Sequence, residues 1–171
     1  IKPVCDEGVY KKKLIKKNKS PTQIATELSK LKAKSVSQFK KNILVVGADT
    51  IISFKGRLIE KANNMTEAKE KIKMLSGKNH TVASAVSVYY NNKLIWFNIE
   101  KTIVKIRKIK NKEIDNYLKK TGKQILNSVG CYQIEKNGPY IIENIKGDFF
   151  NVMGFPLFSF LLFLKSFNIR K

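Results

Sequence analysis

Leu44-Val45-Val46-Gly47-Ala48-Asp49-Thr50 is the stretch on which the reading of this chain turns. An apolar run of strand character stops at a glycine, and a carboxylate follows at once. In α/β proteins, ligands bind and chemistry is done beyond the carboxyl ends of strands. The chain carries only 13 acidic residues against 34 basic ones. An aspartate set directly after a buried strand therefore asks for a reason beyond a turn residue bonding its own backbone.

Working outward, residues 43–46 read as a strand and residues 50–54 as a second one, with Lys55-Gly56 as a turn and residues 57–60 returning as its hairpin partner. Upstream, Ser20-Pro21-Thr22-Gln23 reads as a helix start: Ser20 at the N-cap, Pro21 at the first helical position and Gln23 completing a capping box. Ile24, Leu28 and Leu31 repeat at helical spacing and carry this helix to about Ser37. Downstream, Ala68, Ile72 and Leu75 mark a helix starting near Thr66 and stopped by Gly77. Strands are expected over 82–90 and 93–97, joined by Asn91-Asn92, and again over 102–107, where Thr102, Val104 and Ile106 share one face. Asn111 caps a helix bearing Ile114, Tyr117 and Leu118, and late strands are expected at 132–134 and 140–142. Pro156 starts a final apolar helix. The alternation of strand and helix makes this one α/β unit of 171 residues, enough to bury a real core.

The net charge of +21 points toward a polyanionic partner. Its make-up weakens that inference. Only Arg57, Arg107 and Arg170 are arginines; the rest are lysines in a chain rich in Ile and Asn, the bias an AT-rich genome produces. Readers of nucleic acid favour arginine for its bidentate contacts. Much of the charge therefore reads as solvated surface, with a minority serving a phosphate-bearing ligand. Cys5 and Cys131 form no CxxC pair, and His80 is the only histidine, so a zinc site, a disulfide framework and a His-based triad are not indicated. The apolar stretch 155–164 is too short to span a bilayer, and the cytoplasm is the default location.

Several segments together resemble the Maf family of nucleoside triphosphate pyrophosphatases. They are Leu31-Lys32-Ala33, Val46-Gly47-Ala48-Asp49-Thr50, Ile59-Glu60-Lys61 and Leu75-Ser76-Gly77-Lys78-Asn79-His80-Thr81-Val82. They continue with Asn127-Ser128-Val129-Gly130-Cys131-Tyr132, Ile145-Lys146-Gly147-Asp148-Phe149-Phe150-Asn151-Val152 and Gly154-Phe155-Pro156-Leu157. They fall in family order with family-like spacing across essentially the whole chain.

The resemblance implies a mixed β-sheet flanked by helices, with two lobes around a cleft. It implies hydrolysis of a nucleoside triphosphate to monophosphate and pyrophosphate with a divalent cation, Mg²⁺ or Mn²⁺. Asp49 matches the catalytic aspartate, which orients or deprotonates the attacking water or holds the metal. Lys32 and Lys61 match lysines that would meet the phosphates, and Glu7 resembles an early acidic residue that would join Asp49 at the metal. Thr50 and Glu135 match positions associated with substrate choice. Glu135, together with Asn127-Ser128, is closer to the branch favouring 7-methyl-GTP than to the branch favouring dTTP and UTP. A carboxylate there can accept from guanine N1–H and its 2-amino group. The family also suggests a homodimer.

Family members open with a strand leading to a Ser-x-Ser-x-Arg-Arg segment at a helix N-terminus, where amides and arginine would cradle phosphate. Ile1-Lys2-Pro3 falls after that point, so the first strand and the phosphate-binding arginine are expected to be absent, and a start at Ile reads as a fragment. Two other classes compete with the enzyme: a basic protein that binds nucleic acid, and a catalytically dead remnant that binds nucleotides. The shortage of arginine counts against the first.

Overall fold

A computed structural model of the chain describes residue 3 and residues 5–167. Ile1 and Lys2 of the opening stretch and Arg170 lie outside the described residues. The expected α/β class is observed: a five-stranded sheet flanked by helices, in the order β2-β1-β3-β4-β5. The strands are β1 (Leu44–Phe54), β2 (Arg57–Ile59), β3 (Asn79–Tyr90), β4 (Lys93–Ile106) and β5 (Ile142–Lys146). Every pairing described is antiparallel. Lys55-Gly56 and Asn91-Asn92 close the two tight hairpins. All four residues have positive φ, as two-residue turns matched to strand twist require.

The helices are α1 (Glu7–Lys16), α2 (Pro21–Ser37), α3 (Met65–Leu75), α4 (Asn111–Thr121), α5 (Phe149–Met153) and α6 (Leu157–Ser166). The capping box of α2 forms as expected: Gln23 N donates to Ser20 Oγ at 3.3 Å, and Ser20 N to Gln23 Oε1 at 3.0 Å. For α4 the cap moves one residue earlier. Lys110 is the N-cap, its backbone N–H donating to Glu113 at 2.9 Å, and Asn111 is already helical.

The sheet is buried on both faces around β3. On one face, Ile51 and Ala85 pack with Leu14, Ile24 and Leu28 of α1 and α2. On the other, Ile52, Val82 and Val104 pack with Ile72 and Leu75 of α3, Ile114 of α4, and Ile125, Cys131 and Tyr132 of the following segment. His80 is 3% exposed there and sits 2.6 Å from the Tyr132 hydroxyl. Asn151, fully buried on α5, ties that short helix to the sheet. Its amide accepts from Ser84 N at 3.0 Å and donates to Val82 O at 3.2 Å and Thr102 Oγ1 at 2.8 Å.

Several expectations are corrected. The strand does not stop at Gly47, and residues 43–46 and 50–54 are not two strands. β1 runs unbroken through Gly47-Ala48-Asp49, paired with β3 from Leu44↔Tyr90 to Ser53↔Thr81. Gly47 serves a close approach instead. A Cβ built there would stand 2.4 Å from Ser29 O and 2.6 Å from Ala33 N, because the backbone of α2 rests directly on the strand. The two strands expected over 93–97 and 102–107 are likewise one strand, β4. Residues 132–134 are not a strand: Ser128 Oγ bonds Tyr132 O, and Gly138 N caps Gln133 O at 2.8 Å, so the backbone is used locally. The last strand is displaced from 140–142 to Ile142–Lys146 because residues 138–140 form a 3₁₀ turn.

Two outcomes follow from this packing. Gly47→Ala should cost about 3 kcal/mol of stability, because the added methyl meets helix backbone that cannot give way; urea unfolding showing a loss under about 1 kcal/mol would contradict the close approach. Burial of His80 lowers its pKa from 6.5 to about 4. The unfolded chain therefore takes up this proton first as pH falls. The contribution is whole above about pH 6.5 and is lost toward pH 4, to the extent of about 3 kcal/mol. The stability gap between the wild type and His80→Asn should narrow by that amount between pH 7 and pH 4. A gap independent of pH would show that the imidazole titrates normally.

Candidate active site

β2 pairs with β1 only over Ile52↔Ile59 to Phe54↔Arg57. Among the described residues, the edge of β1 from Leu44 to Ile51 carries no strand partner. A cleft of about 530 Å³ lies along this edge, within the size range of small-molecule sites. Glu7, Gly8 and Lys11 of α1 and Leu28 and Lys32 of α2 form one wall; residues 127–129, Tyr132 and residues 152–154 form the other. Successive residues of β1 point to opposite faces. At an open edge both faces border the same cleft, which is why Asp49 and Thr50 line it together.

Asp49 shares a strand face with Gly47. The docking of α2 on Gly47 through Ser29 and Ala33 brings the residue beside Ala33 over Asp49. Lys32 Nζ donates to Asp49 Oδ1 at 2.7 Å and lies 3.0 Å from Glu7 Oε2. The Asp49 side chain is 11% exposed, and its Oδ2 is buried with no hydrogen-bond partner. Burial, the largest influence, pushes the Asp49 pKa above the ordinary carboxylate range, while the Lys32 ammonium opposes it. Burial also acts to lower the Lys32 pKa, but Asp49 and Glu7 outweigh it and hold it above the usual value. Lys32 thus stays an ammonium, and Asp49 accepts a proton more readily than an exposed aspartate.

Glu7 is the first residue of α1. Asp6 caps that helix, accepting from Val9 N at 2.9 Å. Lys61 also lines the cleft, and its ammonium makes no ion pair among the described residues. Thr50 lines it too, but its hydroxyl is engaged: Oγ1 is 2.8 Å from Ser84 Oγ and donates to Gly154 O at 3.2 Å. Glu135 is exposed and stands apart from the main cleft, in an adjoining hollow of about 190 Å³. The two spaces share Ser128, Tyr132, Val152 and Met153 as wall residues. Asp49, Lys32, Lys61, Thr50 and Glu7 are therefore brought together, and Glu135 is set next door.

Sequence reasoning missed Lys11 and Glu60, which also line the cleft and pair at 2.7 Å. A signal was present: Asp6 as a cap, with Glu7 and Lys11 at the i, i+4 spacing that puts both on one helical face. Gln133, in the adjoining hollow, has a buried Oε1 without a partner and gave no sequence signal.

A divalent cation fits the residues present. The unpartnered Asp49 Oδ2 supplies a hard oxygen, and Glu7 and Asp49 already converge on one cation, the Lys32 ammonium. No group of three or more His, Cys, Asp or Glu side chains able to hold a metal occurs among the described residues. Two carboxylates completed by water and phosphate oxygens is the arrangement Mg²⁺ accepts. No helix among the described residues is long and apolar enough to cross a membrane.

The chain is similar in sequence to several known proteins. The chain is 36% identical over 165 residues to a nucleoside triphosphate pyrophosphatase of Caulobacter vibrioides, covering 96% of this chain and 82% of that protein. It is 37% identical over 153 residues to a 7-methyl-GTP pyrophosphatase of Bartonella henselae, covering 90% and 77%. It is 35% identical over 150 residues to a dTTP/UTP pyrophosphatase of Bacillus cereus, covering 88% and 77%. The family model described as Maf-like protein matches residues 1–167. With its carboxylate and lysines gathered at one strand edge and these relatives on both sides of the substrate divide, the chain belongs to the Maf family.

Proposed function

We propose that this protein hydrolyses a nucleoside triphosphate to the monophosphate and pyrophosphate. The observation that carries the reading is the buried Asp49 carboxylate with one free oxygen, set among lysines in a cleft large enough for a nucleotide. Membership of a family whose relatives are named as nucleoside triphosphate pyrophosphatases supports it.

In this reading water attacks the α-phosphorus, the bond from that phosphorus to the bridging oxygen breaks, and pyrophosphate leaves with its electrons. The substrate carries about four negative charges, and the leaving group gathers more as the bond breaks. Lys32 and Lys61 stabilise that charge from fixed positions. Asp49 orients the water through Oδ2 and takes its proton, a task suited to a carboxylate whose proton affinity is raised by burial. Lys32, bonded to Oδ1, keeps the carboxylate from rotating. In the alternative role of Asp49, the same free oxygen would join Glu7 in holding Mg²⁺ or Mn²⁺, which when bound would supply Lewis-acid stabilisation of phosphate oxygens.

The base faces the hollow containing Glu135, whose carboxylate would accept from guanine N–H groups. This favours 7-methyl-GTP over dTTP and UTP. Thr50, with its hydroxyl engaged by Gly154 and Ser84, acts on substrate choice by fixing the wall at Gly154.

Pyrophosphate release should be measured with Mg²⁺ or Mn²⁺ against 7-methyl-GTP, GTP, UTP and dTTP. Asp49→Asn should lower kcat about a thousandfold with the fold intact by circular dichroism. The acid limb of the wild-type profile should lie above pH 3.8, the value of an unperturbed aspartate. Full turnover by the Asn variant would remove Asp49 from this role. Glu135→Gln should lower the preference for 7-methyl-GTP over UTP about tenfold in kcat/KM. An unchanged ratio would place base selection elsewhere.

A further inference from the structure

Six charged side chains line the cleft, and their charges cancel: Glu7, Asp49 and Glu60 against Lys11, Lys32 and Lys61. Lys61 makes no ion pair among the described residues, but the ammonium groups of Lys11 and Lys32 are held by carboxylates, so either can contact a phosphate fully only by giving up a partner. The structure shows which can. Lys32 is bound to two carboxylates, at 2.7 and 3.0 Å, and leaving them would strand the buried Asp49. Lys11 is bound to one, Glu60 Oε2 at 2.7 Å. The Glu60 side chain is 58% exposed, so on losing Lys11 it is hydrated at little cost. Lys11 itself is only 21% exposed, held against the cleft wall one helical turn after Glu7. Glu60 is held in place by Lys71, whose Nζ donates to the carbonyls of Glu60 at 2.6 Å and Lys61 at 2.8 Å.

We propose that Lys11 is a substrate-binding residue: its ammonium leaves Glu60 for the phosphates that depart as pyrophosphate, and Glu60 parks it in the empty cleft. The inference rests on the pyrophosphatase reading for its biological meaning, but the site it describes is one for a pyrophosphate group. Lys11 also stands close enough to Asp49 for its charge to act on that carboxyl. Of the two cleft lysines with an ion pair, it is the one whose pair breaks without leaving a buried charge alone.

The test is calorimetric titration of the full chain with Mg²⁺-pyrophosphate in 0.15 M salt, beside the turnover panel. Lys11→Met should weaken pyrophosphate binding about tenfold or more, the loss of one charge-assisted contact. Its melting temperature should stay unchanged, since the Lys11–Glu60 pair is partly exposed. Lys11→Arg should restore most of the binding. Glu60→Gln should tighten it by about threefold, because the competing carboxylate is gone. Lys12→Met, an exposed neighbour outside the cleft, controls for net charge and should match the wild type. In turnover, Lys11→Met should raise the inhibition constant for pyrophosphate and leave that for the monophosphate unchanged, a split that a merely structural role would not produce. Wild-type pyrophosphate affinity in Lys11→Met, or an equal loss in Lys12→Met, overturns the proposal. Absence of turnover by the wild type would overturn the pyrophosphatase reading, while the isotherms would still decide the role of Lys11.

Discussion

The site depends on one steric fact: nothing larger than hydrogen fits at Gly47. The backbone of α2 lies on β1 there, with Ser29 O and Ala33 N occupying the space a Cβ would need. Small residues complete the contact, since Ser29 Oγ meets Ser87 Oγ of β3 at 2.7 Å in a fully buried position. At that separation, the helix residue beside Ala33 reaches the strand residue two past Gly47. Lys32 and Asp49 are thereby juxtaposed by main-chain packing and not by the mutual search of two flexible side chains. A pair placed this way loses little entropy on forming, and its geometry is fixed before substrate arrives.

The opposite wall is organised by a different device. The Asn151 amide bonds the β3 backbone at Ser84 N and Val82 O and the Thr102 hydroxyl of β4, and through Ser84 it is linked to Thr50, which in turn bonds the Gly154 carbonyl. The polar chain runs from inside the sheet to the rim of the cleft. In a buried setting such a chain is stable only when its members are satisfied, and these are. The exceptions near the cleft are Asp49 Oδ2 and Gln133 Oε1, the two places where a ligand could supply the missing partner. One lies at the main cleft and the other in the hollow beside it.

Local chemistry made much of this legible in the sequence. Helix α2 was readable because Ser20, Pro21 and Gln23 are capping residues whose bonds need only their own segment. Both tight hairpins were readable because Gly and Asn tolerate positive φ. Gly47 was misread as a strand end because a glycine that admits a helix and a glycine that ends a strand look alike until the partner is in view. Residues 132–134 have strand composition, yet the Ser128 hydroxyl and the Gly138 N–H use their carbonyls first, a tertiary choice that no alternation pattern records. In the site, Asp49, Lys32 and Lys61 were found through motif order across the chain. Lys11 sits in a lysine-rich helix whose neighbours are chemically identical, so only burial and a partner distinguish it.

The distribution of charge bears on the competing reading as a nucleic-acid binder. A groove that tracks a polyanion presents an uncompensated cationic surface. Here the cleft holds as many carboxylates as ammonium groups, and its most buried charge is negative. The surplus that makes the chain +21 lies largely outside it, with lysines such as Lys12, Lys13, Lys40, Lys41 and Lys93 exposed. Such a surface raises the local concentration of any anion, nucleotides included, without selecting among them. Selection needs fixed groups at a fixed separation, and the structure supplies such groups where α1 and α2 meet the open edge of β1.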